Sequence, residues 1–569
     1  MKQPRWELIS SEWQTASDGF AIDRIPIDRD RRVELIHIGP VIAFDGNSPV
    51  LALKAVISSE DTDVALSERI PETIWGHYVA VIIDEQKSSR IFVPDPMKSV
   101  QLFYRQGYGG RISLDVDLER LVAGRQPVWS IGFLVNFAET GYGVEGHTPF
   151  SDVGSVPAGH CLQVNGDGKI ETRRVWFGPS ASRAGNVDLA DEVTSTLRAL
   201  FEEHANICLP VSGEIASSVA AIWLEAALPS SEAIRFIEVS PSGPMAVANT
   251  KLSPPVAKMA RSTVAKVAAT DAAPLATLVP KRLPTSLNER LLYLKREEAV
   301  LDIAGEHGIL VDWHGGDVLL NAVPDEGTVL DAFRAKGTSF ALATAKKLAG
   351  VRRTSLSKIL ADSIYRALVS QSDPRNHKKG GYRGLFPDRS DIIPKSRIRR
   401  PRIVQRRLSS TPTHWANLAR AQNLQAPPFS ASVPILNPYF SQPVVEAAMR
   451  RKSYHSFLSE PDQLDLRNFP RNTDFLFEQS EEKNMALFLS LRQNHEDLME
   501  FIKNGVLMKS GYLDRSKLAK AFNLILEDHV PAARSLSLIA CVEIFCSAWE
   551  SAVEPETVKP AKSGAALTI

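Results

Sequence analysis

Ile207-Cys208-Leu209-Pro210-Val211-Ser212-Gly213-Glu214-Ile215-Ala216-Ser217-Ser218-Val219-Ala220-Ala221-Ile222-Trp223 is the passage on which the expected architecture turns. A short apolar run ends at a Ser-Gly turn, and two further serines open an Ala-rich apolar segment. The pattern predicts a buried strand, a tight loop and a helix whose first N–H groups have no partner inside the helix. Small residues keep such a loop open, and the positive end of the helix dipole faces it, so the arrangement favours an anion. Ser-Gly turns before helices are common, and this one gains meaning only from the segments around it.

A second strand-and-turn supplies the first of those. Ile309-Leu310-Val311 runs into Asp312-Trp313-His314-Gly315-Gly316-Asp317, an apolar strand followed by a Gly-Gly turn and a carboxylate. Open α/β sheets bind ligands in the crevice beyond the C-terminal ends of their parallel strands. Two such turns predict a nucleotide site there, with a helix over roughly 288–307 leading into the second.

The chain has 569 residues, too many for one hydrophobic core, so several domains are expected. Lys plus Arg balance Asp plus Glu at 66 each, which leaves no global field to recruit nucleic acid or an acidic membrane. Cys161, Cys208, Cys541 and Cys546 are too scattered for a disulfide framework, and no Cys-x-x-Cys pair stands ready for zinc or thiol exchange. The N-terminus, Met1-Lys2-Gln3-Pro4-Arg5-Trp6, has no apolar signal region, and no run of 18 apolar residues occurs. The expectation is a cytoplasmic protein without a membrane span.

Residues 1–180 read as β-rich. Val33–Gly39, His77–Ile83, Arg90–Val93 and Cys161–Val164 are strand-like runs between turns at Asp95-Pro96, Gly107–Gly110 and Asn165–Gly168. Residues 188–204 read as a helix. The Pro- and Ala-rich stretch 241–285 reads as a mobile loop or extended insertion. Residues 329–370 have helical periodicity. Between Arg375 and Arg407 twelve Arg or Lys stand against Asp388 and Asp391, a solvated loop or an electropositive docking surface. Helices are expected over 412–425, 440–451, 482–504, 514–527 and 533–550, the last burying one face through Leu536, Ile539, Ala540, Ile544, Phe545 and Trp549.

In this order the pieces resemble the asparagine-synthetase family. Ser212-Gly213-Glu214-Ile215-Ala216-Ser217-Ser218 is similar to its pyrophosphate loop, Ser-Gly-Gly-x-Asp-Ser-Ser, and Asp312–Asp317 to its Gly-Gly-Asp segment. More narrowly the chain resembles the lasso-peptide macrolactam cyclases. Leu51–Pro179, with Ile74–Val81, Asp95-Pro96, Val156–His160 and Trp176, is similar to the glutaminase-like N-terminal domain. His414–Asn423, Asn437–Glu446, Asn504–Leu507 and Gly511–Asp514 are similar to later passages of those cyclases.

The resemblance implies an α+β and α/β chain: an Ntn-hydrolase-like, glutaminase-like β-rich sandwich over residues 1–180, then a synthetase domain of the adenine-nucleotide-α-hydrolase (PP-loop) type over 187–569 with a helical C-terminal part. It implies ATP-dependent amide-bond formation through an acyl-adenylate, closing a macrolactam in a ribosomal peptide natural product. ATP and Mg2+ would be required. A precursor peptide would be the partner, with a leader-binding protein, a leader peptidase or an active cyclase alongside it, and no nucleic acid or membrane. Ser212, Gly213, Glu214, Ala216, Ser217, Ser218, Gly315 and Gly316 would contact ATP, Asp317 would hold the metal, and Lys483 and Arg467 would match the family's late cations.

The departures bear on activity. Lys2 stands where glutamine-hydrolysing members carry a nucleophilic cysteine, so glutamine hydrolysis is not expected. Glu214 replaces the second glycine and brings a Cβ and a negative charge toward an anion. Ala216 replaces the aspartate and supplies no oxygen to a metal. Opposite unit charges about 4 Å apart interact by about 4 kcal/mol at an effective dielectric near 20, worth about three decades in rate if lost from a transition state. The sequence therefore leaves open a catalytically impaired pseudo-synthetase that binds a peptide or partner in the same pathway.

Overall fold

Period-two alternation and unbroken apolar runs build two kinds of sheet. The computed structural model describes residues 21–27, 30–57, 62–107, 112–122, 124–179, 189–201, 206–211, 215–228, 234–239, 265–305, 308–319, 326–352, 354–368, 385, 428–429, 434–450, 454, 485–527 and 529–552. Within them the protein is a mixed α and β structure with three sheets.

The first sheet is antiparallel, in the order β1-β2-β3-β4-β8-β9. Its strands are β1 (Ala21–Pro26), β2 (Arg31–Ala43), β3 (Ile74–Asp84), β4 (Ser89–Pro94), β8 (His160–Val164) and β9 (Ile170–Arg174). Every residue of β3 is buried, because both faces of the strand are covered. Ile74, Tyr78, Ala80 and Ile82 pack with Leu53, Leu66 and Ile70 from helices Pro49–Ile57 and Asp63–Thr73. Val79, Val81 and Ile83 pack the other way, with Ile112 and Leu114. Those two belong to β6 (Ile112–Asp115), which joins β5 (Phe103–Gln106) and β7 (Val153–Ser155) in a three-stranded sheet. The strand runs expected from the sequence lie in β2, β3, β4 and β8, whereas helices 49–57, 63–73 and Ile131–Thr140 were not anticipated.

The third sheet is wholly parallel, in the order β12-β11-β10-β13-β14. It contains β10 (Ile207–Val211), β11 (Ile234–Val239), β12 (Ala265–Val267), β13 (Ile309–Val311) and β14 (Ile435–Leu436). A parallel sheet needs helices on both faces, and β10 shows both being met. Ile207, Leu209 and Val211 pack with helices Leu189–Phe201, Ile215–Ala227 and Gln442–Arg450, while Cys208 joins the opposite cluster with Val300 and Leu301 of helix Leu294–Ala304.

Two expectations need adjusting. Residues 241–264 lie outside the described residues, but 265–285 differ from an insertion held off the core: β12 extends the sheet, and Val267, Ala272 and Leu275 are buried. The last helix, Val530–Ser551, is not buried on one face alone. Ser535, Ser537, Cys541 and Glu543 are buried together with the six apolar positions read from the sequence. Apolar contacts surround it: Phe150 meets Trp549 edge-on at 5.0 Å, and the Trp549 indole N–H donates to the Pro284 carbonyl at 2.7 Å. By length and composition this helix could cross a membrane, but most of it is buried inside the protein. The helix expected at 412–425 and the basic stretch 375–407, apart from the buried Leu385, lie outside the described residues.

Glu543 of that helix accepts from the backbone N–H of Val506 at 2.6 Å and Leu507 at 3.0 Å, capping the short helix Val506–Lys509. Gly505 leaves room for this, since a Cβ there would run into the carboxylate. Burial raises the Glu543 pKa to about 7, against the lowering effect of the two amides. The fold therefore binds a proton that the unfolded chain has already released, and this contribution to stability falls as pH rises from the ordinary glutamate range through about 7. Urea unfolding at about pH 5 and pH 8 should show a smaller pH slope for Glu543→Gln than for the native chain. An unchanged slope would assign the titration elsewhere.

Candidate functional site

Parallel pairing brings the two turn-bearing strands together. β10 and β13 are hydrogen-bonded neighbours, with Ile207 opposite Ile309 and Cys208 opposite Leu310, so the segments after Val211 and Val311 leave the same edge of the sheet. Gly315 turns the second segment with φ +85°, a left-handed conformation that a side chain would strain, and the short helix Gly316–Leu319 follows. This helix packs against helix 215–227, and Leu319 shares a core with Val219 and Ala220. The backbones bearing Ser217 and Asp317 thus meet at one edge.

Placement of the individual candidates is uneven. Ser217 is fully buried in the first turn of helix 215–227, and Gly315 and Gly316 form the neighbouring turn. Ala216, Ser218 and Asp317 are helical in backbone, but their side chains lie outside the description. Ser212, Gly213, Glu214, Arg467 and Lys483 lie outside the described residues altogether.

The chemistry that does stand at this edge involves residues not singled out from the sequence. Pro210, Val239 and Val311, at the ends of three adjacent strands, line a small crevice with Arg290, Arg296, Glu297, Asp312, Trp313 and His314. Asn288 caps the helical turn that presents Arg290, its side chain accepting from the Arg290 N–H at 3.0 Å. Arg290 then donates from Nη1 to Asp312 Oδ2 at 2.6 Å and from Nε and Nη2 to Glu297 Oε2. Arg296 donates to the second Glu297 oxygen at 2.6 Å. The Asp312 side chain is 4% exposed, so its charge depends on these partners rather than on water.

Asp312 orients His314. Its Oδ1 accepts from the His314 backbone N–H at 3.1 Å and from the ring at Nδ1. An ionised carboxylate can only accept, so Nδ1 carries a proton, and in the neutral form of the ring Nε2 is the acceptor. The ring stacks on Trp313, centroids 4.8 Å apart and planes within 8°. Asn437 Nδ2 holds the His314 carbonyl at 3.0 Å. The side chain is 29% exposed, and Nε2 has no hydrogen-bond partner among the described residues.

Burial would raise the Asp312 carboxyl, but the Arg290 guanidinium and the His314 ring outweigh it and hold the group well below the usual carboxylate range. Burial likewise opposes ionisation of Glu297, and Arg290 and Arg296 bring it down to about 2. Both carboxylates stay charged through the neutral range, and the stability they contribute is lost as pH falls below the ordinary carboxylate values toward about 2.

The residues on view do not compose a magnesium site. Ala216 has no ligating atom, and among the described residues no group of three or more His, Cys, Asp or Glu is arranged to hold a metal. No protein-family model matches the chain, and no curated protein matches it. The geometry stands on its own.

Removing Arg290 leaves two buried carboxylates without their shared cation. Arg290→Met should destabilise the protein by about 3–5 kcal/mol, the usual effect of stripping one partner from a buried pair. Urea denaturation at neutral pH measures it, and a loss under about 1 kcal/mol would mean that Arg296 and His314 carry the charges unaided.

Proposed function

We propose that the chain is an asparagine-synthetase-like protein of the lasso-peptide macrolactam-cyclase kind, forming an amide in an ATP-dependent reaction without glutamine hydrolysis. Under this reading residues 1–180 are the glutaminase-like domain without its nucleophile, and 187–569 the synthetase domain. The observation that carries it is the shared edge: β10 and β13 lie side by side and parallel, and the helices after their turns pack together. A phosphate loop and a Gly-Gly-Asp turn need that juxtaposition to act on one nucleotide. The substrate would be a precursor peptide carrying both carboxyl and amine, and ATP would be consumed to AMP and pyrophosphate.

This chain's residues suit the amide-forming half of such a reaction. The amine nitrogen forms the C–N bond, the bond from the activated carbonyl to its phosphate leaving group breaks, and the amine gives up a proton. His314 Nε2 is the acceptor we assign to that proton. Asp312 fixes its tautomer, Arg290 keeps Asp312 ionised, and Trp313 holds the ring flat.

A second reading is favoured by Glu214 and Ala216: a synthetase scaffold that has lost its phosphate loop and serves as a peptide- or partner-binding protein in the same pathway. Pyrophosphate release with ATP and the precursor peptide separates the two. Release is expected for the ligase; its absence, together with no ATP binding by calorimetry, favours the second reading. If the pocket is otherwise intact, Glu214→Gly with Ala216→Asp should strengthen ATP binding. In an active protein, His314→Gln should lower amide formation by about a hundredfold or more while pyrophosphate release persists. Equal loss of both would remove His314 from the proton-transfer step.

A further inference from the structure

A separate cavity of about 60 Å3 lies where the antiparallel and parallel sheets meet. His77 of β3, with Asp95 and Lys98 from the turn after β4, lines one side, and Asp312 and Asn437 line the other. Asn437 donates one amide hydrogen to the His314 carbonyl, which aims Oδ1 elsewhere; that oxygen is buried and has no partner among the described residues. His77 is 8% exposed, and its Nδ1 is also buried without a partner. Burial lowers the His77 pKa to about 4, so the ring is neutral near pH 7. Asp95 already accepts at Oδ2 from Ser99 Oγ at 2.7 Å and from two backbone N–H groups, and burial raises its pKa to about 7.

An occupant must satisfy these atoms. A buried acceptor left unpaired is costly, so an apolar group is a poor fit, and Asn437 Oδ1 has no hydrogen to give an anion. About 10–15 Å3 of such space holds one water, so the cavity has room for a small polar group and the carbon that bears it. A carbon-bound ammonium fits and offers three N–H donors. We propose that this cavity is a subsite for a primary amine, held by Asn437 Oδ1, His77 Nδ1 and the Asp95 carboxyl. Asp312 lines both this cavity and the crevice of His314, so the amine waits behind the carboxylate that orients the proton acceptor. That use rests on the ligase reading; the binding itself does not.

The test follows the His77 ring by NMR, its signal assigned with His77→Gln, in the full chain without ATP. Methylammonium chloride should shift the signal saturably, and tetramethylammonium chloride, which has no N–H, should not. Asn437→Leu should raise the midpoint about tenfold or more, the loss expected for one hydrogen bond to a charged group. Asp95→Asn should weaken binding too, which keeps the test valid if the leucine variant misfolds. Glycinamide should saturate the same signal if the amine arrives on a peptide chain. An absent shift, an equal response to tetramethylammonium, unaltered midpoints in both variants, or saturation by ammonium chloride alone would each overturn the proposal. A failed ligase assay leaves these readouts intact, so the two claims fail separately.

Discussion

Parallel strands leave a sheet in the same direction, and the arrangement at the candidate site depends on β10 and β13 doing so as hydrogen-bonded neighbours. An antiparallel pairing would send the segments that follow Val211 and Val311 to opposite edges. Parallel pairing also fixes the helices. Each strand end must be followed by a crossover that covers a face, and this is why the helices after the two turns touch. β14 continues the logic, since Leu310 and Val311 pair with Ile435 and Leu436 and so bring Asn437 beside His314.

Once the strand ends converge, electrostatics decides what can stand there. Two carboxylates and two guanidinium groups share a site with little access to water, an arrangement that a buried pair tolerates only when every charge has a partner. Arg290 meets this condition with one hydrogen bond to Asp312 and two to Glu297. Its fork geometry suits that bridging role better than the point charge of a lysine. The consequence for chemistry is a histidine with one nitrogen committed and the other turned to use.

The two halves of the molecule are joined by polar contacts within an apolar seam. Trp75, Met97 and Trp176 share a core with the helices of the parallel sheet. Gln442 donates to the Pro71 carbonyl at 2.7 Å, and the Trp176 indole donates to Glu446 at 3.3 Å. Such contacts set the position of β3 and the Asp95 turn against Asn437, and with it the cavity between the sheets.

Local pattern was enough to read the strand and helix within 207–227 and the strand and Gly-Gly turn after Ile309, though not the short helix Gly316–Leu319, because apolar periodicity and Gly turns act over a few neighbouring residues. It was also enough to read Lys2, Glu214 and Ala216 as departures from the asparagine-synthetase pattern on which the proposed function rests. The Asp312-Trp313-His314 run was legible as a turn, and an aspartate two residues before a histidine was the one sign of a dyad. Its completion was not legible. Arg290 lies 22 residues from Asp312, and Gln442 lies 371 from Pro71, so these pairs exist only once the sheet order has been chosen. The last helix misled in the same way: one apolar stripe was visible, but what covers its other faces comes from residues such as Phe150 and Pro284. Sequence determined which segments could be strand, turn or helix; the tertiary structure decided which charges meet, because pairing across a fold depends on the closure of long loops and not on spacing along the chain.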